Sequence, residues 1–222
     1  MQPAADPLRY LALGDSYTIG VGASDEHHNF PTLLSRKLSA ATGRLVRLTN
    51  PAVDGYTTDD LIREELDHLD QVAPDYVSIL IGANDAARGR PRAEYQGSLV
   101  WIYDVIAARG LAPTRVVAIS IPDWSAAPAA QRFGRPDPGA PARSQISWGR
   151  EQLRLVIDGF NALARSEAAT RGFLWVDVSE LSRSRMGEKG WLARDRLHPG
   201  DAQYAAWAEM IWDQVREPWT AA

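Results

Sequence analysis

The chain has 222 residues, 45% hydrophobic and 23% charged, with a formal net charge of −4. That length fits one folded domain, 1–222, with a substantial core, and no stretch approaches the ~18 uninterrupted apolar residues of a membrane span. No cluster of lysine and arginine stands out, which speaks against nucleic acid or an anionic membrane as partner, and the absence of cysteine excludes disulfides and a thiolate nucleophile.

The N-terminus has no basic n-region, and the apolar stretch at 10–13 is too short for a signal h-region, so a cytoplasmic protein is expected. Residues 8–13 form an apolar run closed by Gly14, a first strand. Leu33, Leu34 and Leu38 have helical spacing over 31–41, and Gly43 can end that helix. Residues 45–48 alternate apolar and polar, a second strand. Thr57 or Thr58 can cap one helix running through Leu61, Ile62, Glu65, Leu66 and Leu69. Residues 76–81 are almost continuously apolar, as in a buried central strand, and a long helix follows over 92–108. Residues 115–121 form a fourth strand.

The rhythm then breaks. Residues 122–147 hold five prolines and two glycines, too long a stretch for a simple connector. Helical periodicity returns over 150–170, a fifth strand occupies 173–178, and a last helix carries Tyr204, Trp207, Ile211 and Val215. Five strands alternating with helices predict an α/β fold: a flavodoxin-like three-layer sandwich around a mostly parallel five-stranded sheet in the order 2-1-3-4-5. Such sheets bind ligands beyond the carboxyl ends of their strands.

Chemistry-bearing residues fall in those loops. Gly14-Asp15-Ser16 follows strand one, Gly55 strand two, Asn84 strand three, and Asp195-Arg196-Leu197-His198 strand five. A serine hydroxyl needs a base to become a nucleophile. His198 is the candidate base. On a helical turn residues three apart share a face, so the Asp195 carboxylate can orient the imidazole. The Ser16 backbone N–H, Gly55 and the Asn84 amide can donate to an oxyanion. Taken singly, each motif reads as an ordinary turn or helix cap. Their convergence on one rim favours catalysis.

These motifs, in this order, resemble the SGNH subgroup of the GDSL esterase/lipase family, from residue 8 to about residue 215. Asn50 through Gly55 and Gly82-Ala83-Asn84-Asp85 are part of the match, and Tyr17 stands where the family usually has leucine. The resemblance implies a nucleophile at Ser16, an Asp195–His198 pair, and an oxyanion hole of Ser16, Gly55 and Asn84. No Gly-x-Ser-x-Gly elbow, Gly-x-Gly-x-x-Gly loop, Walker loop or His-Glu-x-x-His motif is present.

The expected function is hydrolysis of small carboxylic esters, with short, medium or acetyl acyl groups, through an acyl-serine and without metal or cofactor. A thioesterase or acyltransferase using the same machinery is a close variant, and a non-catalytic ligand-binding flavodoxin-like domain is the alternative of another class. Trp124, Phe133 and Trp148, in or beside the proline-rich stretch, are expected to line the substrate pocket. Asp15 and Asp85 are expected to brace loops. Asp59-Asp60 and Glu64-Glu65 read as solvated helix faces, His27 and His28 as a polar loop, and His68, Trp101, Trp207 and Trp212 as structural.

Overall fold

The computed structural model describes residues 6–130 and 149–221. Phe133 and Trp148 lie outside them. Strands β1 (Leu8–Gly14), β2 (Val46–Thr49), β3 (Tyr76–Leu80), β4 (Val116–Ile119) and β5 (Leu174–Val176) form one sheet in the order β2-β1-β3-β4-β5, and every neighbouring pair is parallel. This is the expected order, with all of the pairing parallel. β1 and β3 are buried almost throughout, because helices cover both faces of a parallel sheet.

The helices are α1 (Ser16–Ile19), α2 (Phe30–Thr42), α3 (Thr58–Glu64), α4 (His68–Val72), α5 (Ala83–Ala87), α6 (Arg92–Ala107), α7 (Arg150–Thr170), α8 (Ser179–Ser184) and α9 (Asp201–Thr220). α2 packs on α9, while α6 packs on α3 and α7. Aromatic rings fill much of the contact: Tyr95 stacks on Phe160 with centroids 4.1 Å apart, and Tyr76 and Tyr10 meet Trp219. Trp207 is buried as expected. Trp101 is not: it is 59% exposed on α6, because α6 turns its packed face inward through Leu99, Ile102, Tyr103 and Ile106.

A second departure lies after β2. The periodicity predicts one helix through Leu69, but the chain breaks after α3 and restarts at α4. At the break Glu65 turns inward. It is 1% exposed, and its Oε2 accepts the Gly14 N–H at 2.9 Å. The reading of Glu65 as a solvated residue is therefore wrong. Helical spacing reports which residues share a face, not which face meets the end of a distant strand.

The sheet register sets the place of the first two candidate loops. Gly14, the last residue of β1, pairs with Leu80, the last residue of β3. The turns that follow these strands leave the sheet side by side, where the strand order reverses. Space at that corner is tight. A Cβ on Gly14 would overlap Thr18 Oγ1 and the Leu80 carbonyl oxygen. Gly14→Ala is expected to lower stability by about 3 kcal/mol, as overpacking does, measured as a lower midpoint of urea unfolding. A variant as stable as the parent would show that the corner yields.

Candidate active site

The corner after β1 turns directly into α1. Asp15 is the N-cap, and its Oδ1 accepts the Tyr17 N–H at 3.0 Å. Ser16 is the first residue of α1 and is 4% exposed. Its backbone N–H has no acceptor among the described residues.

His198 arrives from the far end of the chain. Its Nε2 lies 3.2 Å from Ser16 Oγ, and its Nδ1 lies 2.6 Å from Asp195 Oδ2. The Asp195 turn is not helical, since Arg196 has φ of 63°. The aspartate instead closes its own loop: Oδ1 accepts the N–H groups of Leu197 and His198 at 2.9 and 3.1 Å, leaving Oδ2 for the imidazole. Partial burial pushes the Asp195 carboxyl up. The hydrogen bonds from His198, Leu197 and the His198 backbone outweigh it and hold the group below its ordinary range.

Two further contacts seat this loop. Leu192 bridges Pro199, and the Ala193 N–H donates to the His198 carbonyl at 2.9 Å. Gly22 faces the loop with φ of 94°, and a Cβ there would crowd the Pro199 carbonyl, Ala193 and His198. The ring of Tyr17 lies 5.7 Å from that of His198 and 6.0 Å from that of Trp207. Where the family usually has leucine, this chain thus places an aromatic ring between the imidazole and α9. Gly22 is a position that sequence reasoning passed over; its signal, a glycine just past a short helix, is common to many turns.

The loop after β2 is tied to α1 by Asn50, whose Nδ2 donates to the Thr18 carbonyl at 2.9 Å. Gly55 has φ of 84°, and its N–H has no acceptor among the described residues, while its carbonyl accepts from Arg88 at 3.0 Å. Asn84 begins beside it. Its Nδ2 donates to the Tyr56 carbonyl at 2.9 Å, which leaves the second N–H of that amide.

Asp85 is fully buried and joins α5 to α3. It accepts from the Thr58 N–H at 2.9 Å and the Thr58 hydroxyl at 2.7 Å, and pairs with Arg90 at 2.8 Å. Asp15 and Asp85 are both the loop braces expected of them. Asp59 and Asp60 are also engaged, the first with Arg90 and the second in the Thr57 capping box.

Ser16, Tyr17, Asp54, Ala83, Asn84, Ala87, Trp124, Leu197 and His198 line one cleft of about 140 Å³. Trp124 is therefore at the site, and 4% exposed. His28 lies elsewhere, paired with Asp25 in an exposed loop. Asp54 was missed, since an aspartate before a glycine reads as turn chemistry. In the cleft it is the one aspartate or glutamate among the described lining residues.

The sequence profile of the GDSL-like lipase/acylhydrolase family matches residues 12–206. The chain belongs to this family. It is an ester-hydrolysing enzyme. A lipase from Streptomyces rimosus is 30% identical over 195 residues, covering 80% of this chain and 72% of that protein. A lipase/acylhydrolase from Enterococcus faecalis superposes with a TM-score of 0.68 at 21% identity, over 96% of this chain and 95% of the other. An acetyl xylan esterase from Geobacillus stearothermophilus gives a TM-score of 0.68 at 19% identity, over 96% of each. At such identities these two structures speak for the shared fold. No helix among the described residues of this GDSL-family enzyme is long and apolar enough to cross a membrane.

Because Asp85 holds the Gly55 and Asn84 loops in one frame, removing it takes the buried acceptor from the Thr58 N–H and leaves Arg90 with Asp59 alone of the two aspartates it pairs with. Asp85→Ala is expected to destabilise the enzyme by about 2–3 kcal/mol, as leaving buried Thr58 donors unsatisfied does, read by urea unfolding. A loss below about 1 kcal/mol would mean that the frame stands without it.

Proposed function

We propose that the enzyme is a serine esterase cleaving short-acyl carboxylic esters through an acyl-serine. The observation that carries this reading is the chain of contacts from Ser16 Oγ to His198 Nε2, and from His198 Nδ1 to Asp195 Oδ2.

As Ser16 Oγ attacks the carbonyl carbon, His198 Nε2 takes its proton and Asp195 stabilises the imidazolium. The carbonyl π electrons move to oxygen. The oxyanion accepts from the Ser16 N–H, the Gly55 N–H and the second N–H of the Asn84 amide. Collapse breaks the bond to the alcohol oxygen, which leaves with the proton from His198. Water then repeats the sequence on the acyl-Ser16 and releases the acid. The acyl preference rests on size. About 140 Å³ is small beside the ~300–1,000 Å³ of pockets that hold drug-sized ligands, and Tyr17 and Trp124 occupy its walls.

A fluorophosphonate probe is expected to label Ser16 stoichiometrically, and Ser16→Ala to lower kcat for a chromogenic acetate by roughly 10³-fold or more without unfolding. Substantial turnover by that variant would end the assignment. Asn84→Ala is expected to lower kcat by roughly 10²–10³-fold with little change in KM. A rise in KM alone would make Asn84 a substrate-binding residue instead. Asp54 adds a charge preference: the enzyme should favour choline acetate over its neutral isostere 3,3-dimethylbutyl acetate by a few-fold in kcat/KM at low salt, and Asp54→Asn should erase that ratio. An unchanged ratio would place the Asp54 charge outside the substrate's reach.

A further inference from the structure

Two carboxyl groups lie behind the serine with more acceptors than the protein supplies donors. Asp15 is fully buried: Oδ1 accepts the Tyr17 N–H, and Oδ2 has no hydrogen-bond partner among the described residues. Glu65 is buried as deeply: Oε2 accepts the Gly14 N–H, and Oε1 has no such partner. The two groups therefore hold one corner at Gly14 and at Tyr17, and the charge on Asp15 raises Glu65.

The surroundings supply little cation. Asp15 faces Asp54 from the loop after β2 and Asp85 from α5, and the charge on Asp85 is met by Arg90. Near Asp15 stand also Tyr17 on α1, Tyr95 on α6 and Tyr204 on α9, hydroxyls that burial keeps protonated, and Tyr17 and Tyr204 also face Asp195. Among the described residues no cation pairs with either group, and as anions both would keep an unsatisfied oxygen.

We propose that Glu65 is a positioning residue whose carboxyl stays uncharged, anchoring Gly14 while leaving one negative charge, not two, behind Ser16. The proton is assigned to Glu65 because Asp15 is the N-cap of α1, where the Tyr17 N–H stabilises its carboxylate, and because the charge on Asp15 raises Glu65. An uncharged Glu65 accepts the Gly14 N–H through its carbonyl oxygen and presents an O–H where a carboxylate would present a bare acceptor. Burial pushes both carboxyls up, and the charge on Asp15 raises Glu65 further, so the pair keeps a proton at neutral pH.

The consequence for the site follows from position. Ser16 N–H, proposed above as an oxyanion donor, belongs to the residue directly after Asp15. When Glu65 loses its proton to solvent, a second anion forms behind the corner. It opposes the oxyanion and repels Asp15 across the turn that places Ser16. The effect is on the transition state, so kcat falls while KM stays level.

Stability follows the same proton. In the unfolded chain the Glu65 carboxyl ionises near its ordinary ~4.3, and in the folded protein only near 8. Between these values the folded state holds more protons. Its stability is therefore full below the lower value and is lost as pH rises toward the higher one.

The test compares wild type with Glu65→Gln and Glu65→Leu. Glutamine keeps the carbonyl acceptor and cannot ionise; leucine has no acceptor. For wild type, kcat at pH 9 is expected to be about tenfold below kcat at pH 7, with KM level, whereas Glu65→Gln should hold the two within about twofold. Glu65→Leu should lower kcat more than Glu65→Gln does at every pH. Urea unfolding midpoints should fall between pH 5 and 8 in wild type and fall less steeply in Glu65→Gln, where Asp15 alone of the pair can still titrate. The kcat arm rests on Ser16 as nucleophile; the unfolding arm does not. A less steep unfolding profile in Glu65→Gln therefore supports the uncharged Glu65 even if Ser16→Ala retains activity. Coincident wild-type and Glu65→Gln profiles in both measurements would overturn the proposal.

Discussion

The site depends on one constraint: a strand buried almost throughout must turn into a helix within a single residue, against the end of the strand beside it. Gly14 pairs with Leu80, and neither Thr18 nor the Leu80 carbonyl leaves room for a side chain at that point. The turn points Ser16 out of the sheet edge where the strand order reverses. The loop after β3 leaves the same edge one strand away, which brings Asn84 beside Ser16 without any long connection. Loosening this corner shifts the proposed nucleophile and its proposed oxyanion donor together.

Buried charge is handled differently on the two sides of the corner. Asp85 is met by an arginine and by two donors from Thr58, and it locks α3 to α5. Asp15 and Glu65 have backbone donors and, among the described residues, no cation, and burial raises both. The first arrangement is a rigid brace. The second ties the geometry of the corner to a proton. The two lie close enough for Asp85 to add to the cost of charging Asp15.

The histidine loop solves a separate problem, that of reaching the corner from the other end of the chain. Asp195 spends one oxygen on its own turn and the other on the imidazole, so a single side chain fixes both the loop and the ring. Gly22 allows that loop to press against the segment after α1, and Tyr17 supports the imidazole from the side. α9 is joined to this assembly through Tyr204, whose hydroxyl donates to the Val21 carbonyl at 2.8 Å, and through Asp201, which accepts the Ser24 N–H at 2.8 Å.

The sequence by itself determined the five strands and their order, the longer helices, the parallel sheet and the turns that carry Ser16, Gly55, Asn84, Asp195 and His198, though not the short helices α1, α5 and α8. Those features come from local periodicity and turn chemistry, which act within a few residues and leave their pattern in the string. Only the tertiary structure decided that the helix after β2 breaks to bury Glu65, that Trp101 faces solvent, that the Asp195 turn is not helical, and that Asp54 stands in the cleft. Each of these is set by what lies across from the residue rather than by its neighbours in sequence. Glu65 and Glu64 look alike in the chain, and what separates them is the Gly14 N–H, which the fold brings to Glu65 from the end of β1.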